Sequence, residues 1–156
     1  MSEKKISYQL LNRGALVGIQ VTAPSMQRLY LDAGLALIDS RVKLEWLNES
    51  DKQTLSITAQ KREDLMRNWL MEIEYLYARM DFLPRRIVFD FFDGKTIKAT
   101  LWGEMHDDKR HGMPIKYGWA EQPVEFGEKN TEPLEFFARV YFQTVHPKIR
   151  GRIAIR

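Results

Sequence analysis

The chain has 156 residues, 44% of them hydrophobic and 29% charged, with no cysteine. That length suits one compact domain with a single core, and the lack of cysteine excludes a disulfide scaffold and a thiolate metal site. The formal net charge of +3 is misleading: taking Lys148, Arg150, Arg152 and Arg156 from the 24 basic residues leaves 20 against 21 acidic ones, so the body is nearly neutral and the basic character sits at the C-terminus.

At the N-terminus, "MSEKKISYQ" lacks the apolar stretch of a secretory signal. No apolar run approaches the roughly 20 residues of a bilayer span, so a soluble cytoplasmic protein without membrane contact is expected. "ISYQLL" and "LVGIQVTA" read as two short strands around Asn12-Arg13-Gly14. Pro24-Ser25 opens a helix, with Ser25 as N-cap and Met26, Leu29, Tyr30, Ala33 and Leu37 on its buried face. "LSITA" alternates as a strand. "EDLMRNWLMEIEYLYARM" is the strongest helix pattern, with an apolar stripe of Leu65, Trp69, Ile73, Leu76, Tyr77 and Met80. Glu63 and Asp64 favour its N-terminal end, and Pro84 is expected to end the segment.

"RRIVFDFF" and "KTIKATLWGE" flank Asp93-Gly94, the signal of a two-residue hairpin turn with positive-φ residues. "MPIKYGWA" and "LEFFARVYFQ" add two strands, the second with Phe136, Ala138, Val140 and Phe142 on one face. "IRGRIAIR" alternates isoleucine with arginine and reads as an extra strand. Residues 1–156 then form one domain, and residues 144–156 are a basic C-terminal extension. The fold class is α+β, two helices packed on one side of a largely antiparallel sheet.

In that order, "VGIQVTAPSMQRLYLDAGLALID", "DLMRNWLMEIEYLY", "FDGKTIKATLWGE" and "IKYGWA" resemble the archease family, from about Leu10 to Gln143. The resemblance implies an archease-like fold, a strand-helix-strand-strand core with a further sheet layer. It also implies a non-enzymatic accessory protein of an RtcB-type RNA-splicing ligase, promoting guanylylation and multiple turnover of the ligase in tRNA splicing or RNA repair. The family's patch gathers acidic residues that bind a divalent metal, together with a lysine. The family's histidine-threonine-alanine-aspartate-x-glycine pattern falls on Arg13 to Gly18, which puts Arg13 at the histidine and Leu16 at the metal-binding aspartate. The aspartate that closes its last strand falls on Gln143. Lys116 is retained, as are Glu104, Asp107 and His111 in "GEMHDDKRH".

A hard divalent cation needs several oxygen ligands, preferably carboxylates. Leucine supplies none and glutamine only a neutral carbonyl. Glu104 and Asp107 remain as metal candidates, and no other cofactor is expected. His106 and His111 are five apart, unlike the paired histidines of a zinc helix. "GIQVTAPSM" is not a phosphate loop, and no nucleophile stands beside an evident base. "GEMHDDKRH" therefore reads first as a charged connection between strands, and a metal-dependent enzyme is disfavoured. Trp102 and Trp119 are expected in the core. Two functions remain: the ligase accessory protein, with Lys116 as a point charge for phosphate or carboxylate, or a diverged, metal-independent binding module for RNA or a protein. In the second reading, Lys148, Arg150, Arg152 and Arg156 are the contacts.

Overall fold

A computed structural model describes residues 6–130 and 132–145. Lys148, Arg150, Arg152 and Arg156, and the strand expected over "IRGRIAIR", lie outside the described residues.

β1 (Ser7–Arg13) and β2 (Leu16–Ala23) form the first hairpin, with Gly14 at φ +61° in its turn. The α1 helix (Met26–Asp39) starts at Ser25, whose hydroxyl accepts the Arg28 N–H at 3.1 Å. A 3-10 turn (Leu44–Trp46) leads to β3 (Asp51–Thr58). The α2 helix (Arg62–Met80) carries Glu63 and Asp64 in its first turn and Arg79 in its last, matching the helix dipole. Leu65, Trp69, Ile73, Leu76 and Tyr77 are buried as expected, but Met80 is 45% exposed. The helix ends at Asp81, which takes the left-handed conformation at φ 56°. Pro84 does not end the segment; it lies inside the following strand.

That strand is β4 (Phe82–Phe92), paired with β5 (Thr96–Met105). Pro84 is tolerated because β4 is an edge strand and its register shifts between Pro84 and Arg86. The connection is three residues, Asp93 to Lys95, not two, and only Gly94 has positive φ, at +90°. The Asp93 carboxylate accepts the N–H groups of Lys95 and Thr96 at 2.9 and 2.8 Å, doing the work expected of a second positive-φ residue. A one-turn helix, α3 (Asp108–His111), precedes β6 (Lys116–Trp119). β7 (Glu125–Lys129), a strand with no clear signal in the sequence, precedes β8 (Glu135–Val145).

The strands make two antiparallel sheets. One has the order β1-β2-β8-β6 with β7 also on β8, and the other has the order β3-β5-β4. The α1 helix touches β2 and β8 of the first and β4 of the second, and α2 touches β6, β3 and β4. One core results, joining Ile19, Val21 and Val140 to Leu37, Trp69 and Leu101. Trp69 Nε1 donates to the Tyr30 carbonyl at 2.7 Å, which satisfies the indole in the core and ties α2 to α1. Trp119 packs edge-on against Phe142, centroids 5.6 Å apart. Trp102 is outside the core, under the Arg86 guanidinium at 4.0 Å. No described helix is long and apolar enough to cross a membrane.

Candidate functional site

Glu104 is the penultimate residue of β5 and is only 8% exposed. Its Oε2 accepts from the Asn48 N–H at 3.1 Å, Arg110 at 2.8 Å and His111 Nε2 at 3.0 Å. Its Oε1 accepts from Asn48 Nδ2 at 3.3 Å. The Asp107 N–H donates to His111 Nδ1 at 2.9 Å, so the ring proton sits on Nε2 and points at Glu104. Burial pushes the Glu104 carboxyl up, but the bonds from His111, Asn48 and Arg110 outweigh it and hold it below the ordinary glutamate range.

"GEMHDDKRH" is thus the end of a strand and a helical turn clamped onto it. Glu104 and His111 are brought together. Asp107 is exposed and caps α3 through the Lys109 N–H at 3.0 Å. Neither acid is free for a cation: Glu104 already bonds a guanidinium and three further donors, and Asp107 points along its own turn. Among the described residues no group of three His, Cys, Asp or Glu could hold a metal ion. The divalent metal implied by the resemblance does not fit this donor set.

Tyr77 links the loop to Lys116. The His106 ring stands edge-on to it with centroids 5.6 Å apart, and the Lys116 ammonium lies 6.0 Å from its ring centroid. Its hydroxyl donates to the Pro114 carbonyl at 2.7 Å, and burial, only partly offset by Arg41, pushes its pKa up to about 12. Beneath Lys116 lies an ion pair with no signal in the sequence. Arg41 binds Glu74 through both guanidinium nitrogens, at 2.6 and 3.0 Å, with side chains 7% and 3% exposed. Glu74 also accepts the Tyr117 N–H at 2.8 Å, and Arg41 donates to the Ile115 carbonyl at 2.7 Å. The start of β6 that carries Lys116 is therefore pinned to α2 and to the residues that follow α1.

The other matched positions gather elsewhere. Leu16 faces Gln143 across the β2–β8 ladder, Arg13 faces Leu16, and Gly118 faces Gln143. Arg13, Leu16 and Gln143 therefore share one end of the outward face of the five-stranded sheet. Arg13 lies over the Tyr141 ring at 4.5 Å and donates to Gln122 at 3.3 Å. The end is cationic and amide-rich, with no carboxylate at these positions. Asn48, Arg110, Tyr77 and the Arg41–Glu74 pair are the parts that sequence reasoning missed. Only Arg110, inside "GEMHDDKRH", had a local signal. A separate open cleft of about 710 Å³ runs between β1, α1 and β4, and no described residue predicted for the site lines it.

The chain matches the Archease protein family over residues 8–116, a span that includes Glu104, Asp107, His111 and Lys116. It is 24% identical over 139 residues to the protein archease of Thermoplasma acidophilum, covering 89% of this chain and 94% of that one. It is 27% identical over 115 residues to the protein archease of Pyrobaculum islandicum, covering 70% and 77%. The solution structure of Methanobacterium thermoautotrophicum protein 1598 shares the fold, with a TM-score of 0.65 at 14% identity over 87% of this chain and 97% of that one. With most of its length matched by the family and the fold in agreement, the chain belongs to the Archease protein family.

Proposed function

We propose that this protein is a non-enzymatic accessory protein of a cytoplasmic RtcB-type RNA-splicing ligase, acting in tRNA splicing or RNA repair by contact with its partner. The family match over residues 8–116 carries the reading. The surface around the clamped loop supports a partner-binding role. Met105, Met80 and Met113 are 49%, 45% and 57% exposed. All three adjoin His106: Met105 precedes it, Met80 precedes Asp81, whose carbonyl accepts the His106 N–H at 2.6 Å, and Met113 follows Gly112, whose carbonyl is 2.7 Å from His106 Nε2. Trp46, 64% exposed, joins them through the bond from Arg110 to its carbonyl at 2.9 Å. Exposed methionines adapt to an apolar partner, and Lys116 lies within the same neighbourhood. Because the donor set does not suit a divalent ion, the role falls to contact and positioning.

The test is reconstitution with an RtcB-type ligase. A one-to-one complex on size exclusion and faster ligase turnover are expected, with Asp107→Ala leaving both intact. Met105→Asp should weaken the complex about tenfold or more, the scale of a central interface residue. Absence of both complex and stimulation would remove the reading.

A further inference from the structure

β8 presents Phe137, Arg139, Tyr141 and Gln143 on alternate positions of the five-stranded sheet, turned away from the core residues Ala138, Val140 and Phe142. Three of these four face a glycine on a neighbouring strand: Phe137 faces Gly127, Tyr141 faces Gly18 and Gln143 faces Gly118. A Cβ on Gly18 would stand 2.6 Å from Tyr141 Cε1, and one on Gly127 would clash with Phe137 Cζ. The two rings therefore lie against bare backbone, and Tyr141 is left only 5% exposed. On its far side each ring carries a guanidinium, Arg13 over Tyr141 at 4.5 Å and Arg139 over Phe137 at 5.1 Å.

The two layers differ in how firmly they are held. Arg139 is fixed by 2.6 Å bonds to Gln20 and Glu125. Among the described residues Arg13 has one 3.3 Å bond, to Gln122, and it is exposed, so its plane is open to a ligand. Glutamine amides fill the adjoining positions: Gln9 faces Gln20 across β1 and β2, and Gln143 is exposed beside Leu16. Arg13 forms no ion pair with a described residue. No helix lies on this face among the described residues, because α1 packs on the opposite one.

An exposed guanidinium plane stacked on a ring, with exposed amides beside it on an open sheet, matches the chemistry of unpaired nucleotides. Bases stack on aromatic and guanidinium planes, phosphates take the cations, and an amide can both donate to and accept from a base edge or a 2′-hydroxyl. We propose that the outward face of the five-stranded sheet binds single-stranded RNA, with a base on the exposed plane of Arg13 and the flanking phosphate held by its charge. At about 3.3 Å per residue, β8 spans roughly 36 Å, room for several nucleotides. This inference does not rest on the ligase reading and is tested with the protein alone, so either can fail without the other.

The experiment is fluorescence anisotropy of the full chain with a labelled, mixed-sequence single-stranded RNA of about twelve nucleotides, within the site sizes of single-strand binders. Binding is expected, tighter than to the DNA of the same sequence and to an RNA duplex. Arg13→Glu should weaken it about tenfold or more and flatten its salt dependence by about one phosphate contact. Lys98→Glu, exposed on the other sheet, should change it by less than about twofold. A thiouridine-substituted RNA should crosslink to β1 or β8. A full-chain variant with Lys148, Arg150, Arg152 and Arg156 changed to glutamine separates the tail's contribution. No binding, loss in the tail variant alone, or an Arg13→Glu affinity equal to the parent's would each overturn the proposal. Preference for the duplex would also do so.

Discussion

Glu104 shows how one carboxylate can look like a ligand in the sequence and serve as a fastener in the fold. It belongs to a loop dense in acids and histidines, yet both oxygens are occupied by Asn48, Arg110 and His111. Its removal strands several donors at a largely buried position, so Glu104→Ala should cost about 2–3 kcal/mol in urea unfolding at neutral pH. Its folded carboxyl titrates below the ordinary value of 4.5. The stability it contributes is therefore complete above that value and is lost as pH falls through the folded value. Stability measured from pH 6 downward should accordingly fall more steeply in the parent than in Glu104→Gln, with the gap closing below the ordinary carboxylate range. Parallel acid curves for the two proteins would mean the carboxylate is not held as described.

Among the elements, β6 shows how a four-residue strand can be held firmly. Its edge is bound to α2 by Glu74 through the Tyr117 N–H, and Arg41, just after α1, holds the Ile115 carbonyl just ahead of the strand. Arg41 also lies over the Tyr117 ring at 4.0 Å. Breaking one half of a buried pair leaves the other charge unpaired, which costs about 3–5 kcal/mol, whereas replacing both by apolar side chains is often neutral. Glu74→Ala should therefore be strongly destabilising, and Arg41→Met with Glu74→Leu should recover most of the loss in equilibrium unfolding. A double variant as weak as the single one would show that the backbone bonds to β6, not the charges, do the fastening. Gly34 sets the spacing of the helices themselves: a Cβ there would stand 2.7 Å from Ile73 Cδ1 and 3.0 Å from Trp69 Cζ2, both fully buried side chains.

At the scale of the molecule, the two sheets of the described residues share α1 and α2. Because α1 and α2 each touch both sheets, neither sheet keeps its apolar face covered if the other opens. Unfolding should be a single cooperative transition, with a calorimetric enthalpy equal to the van't Hoff value and near 100 kcal/mol, at about 0.7 kcal/mol per residue. Two resolved transitions would show that the sheets are separable units. The same arrangement leaves the outward face of the five-stranded sheet uncovered by any described helix, and that face is where the proposed RNA contact lies.

Local chemistry was enough to read much of the fold. The spacing of Leu29, Tyr30, Ala33 and Leu37 defines the buried side of α1, Ser25 caps it, and "LVGIQVTA" is β2 residue for residue. Periodicity and capping act within a few residues, so a single chain carries them. The same local reading misjudged Pro84, whose place depends on the edge position of β4, and the length of the Asp93 turn, whose carboxylate took over part of the geometry. It passed over β7, which is defined only by its partner β8. Of the candidate site, the sequence alone determined which residues are present: Glu104, His111 and Lys116, and Arg13, Leu16 and Gln143 in the place of the family's ligands. Only the tertiary structure decided what they do together. The bonds that occupy Glu104 come from as far as 56 residues away, Arg41 meets Glu74 across 33, and Arg13 reaches Tyr141 through a ladder joining the two ends of the chain. Contacts at such separations are set by how sheets and helices pack, and no short-range pattern encodes them.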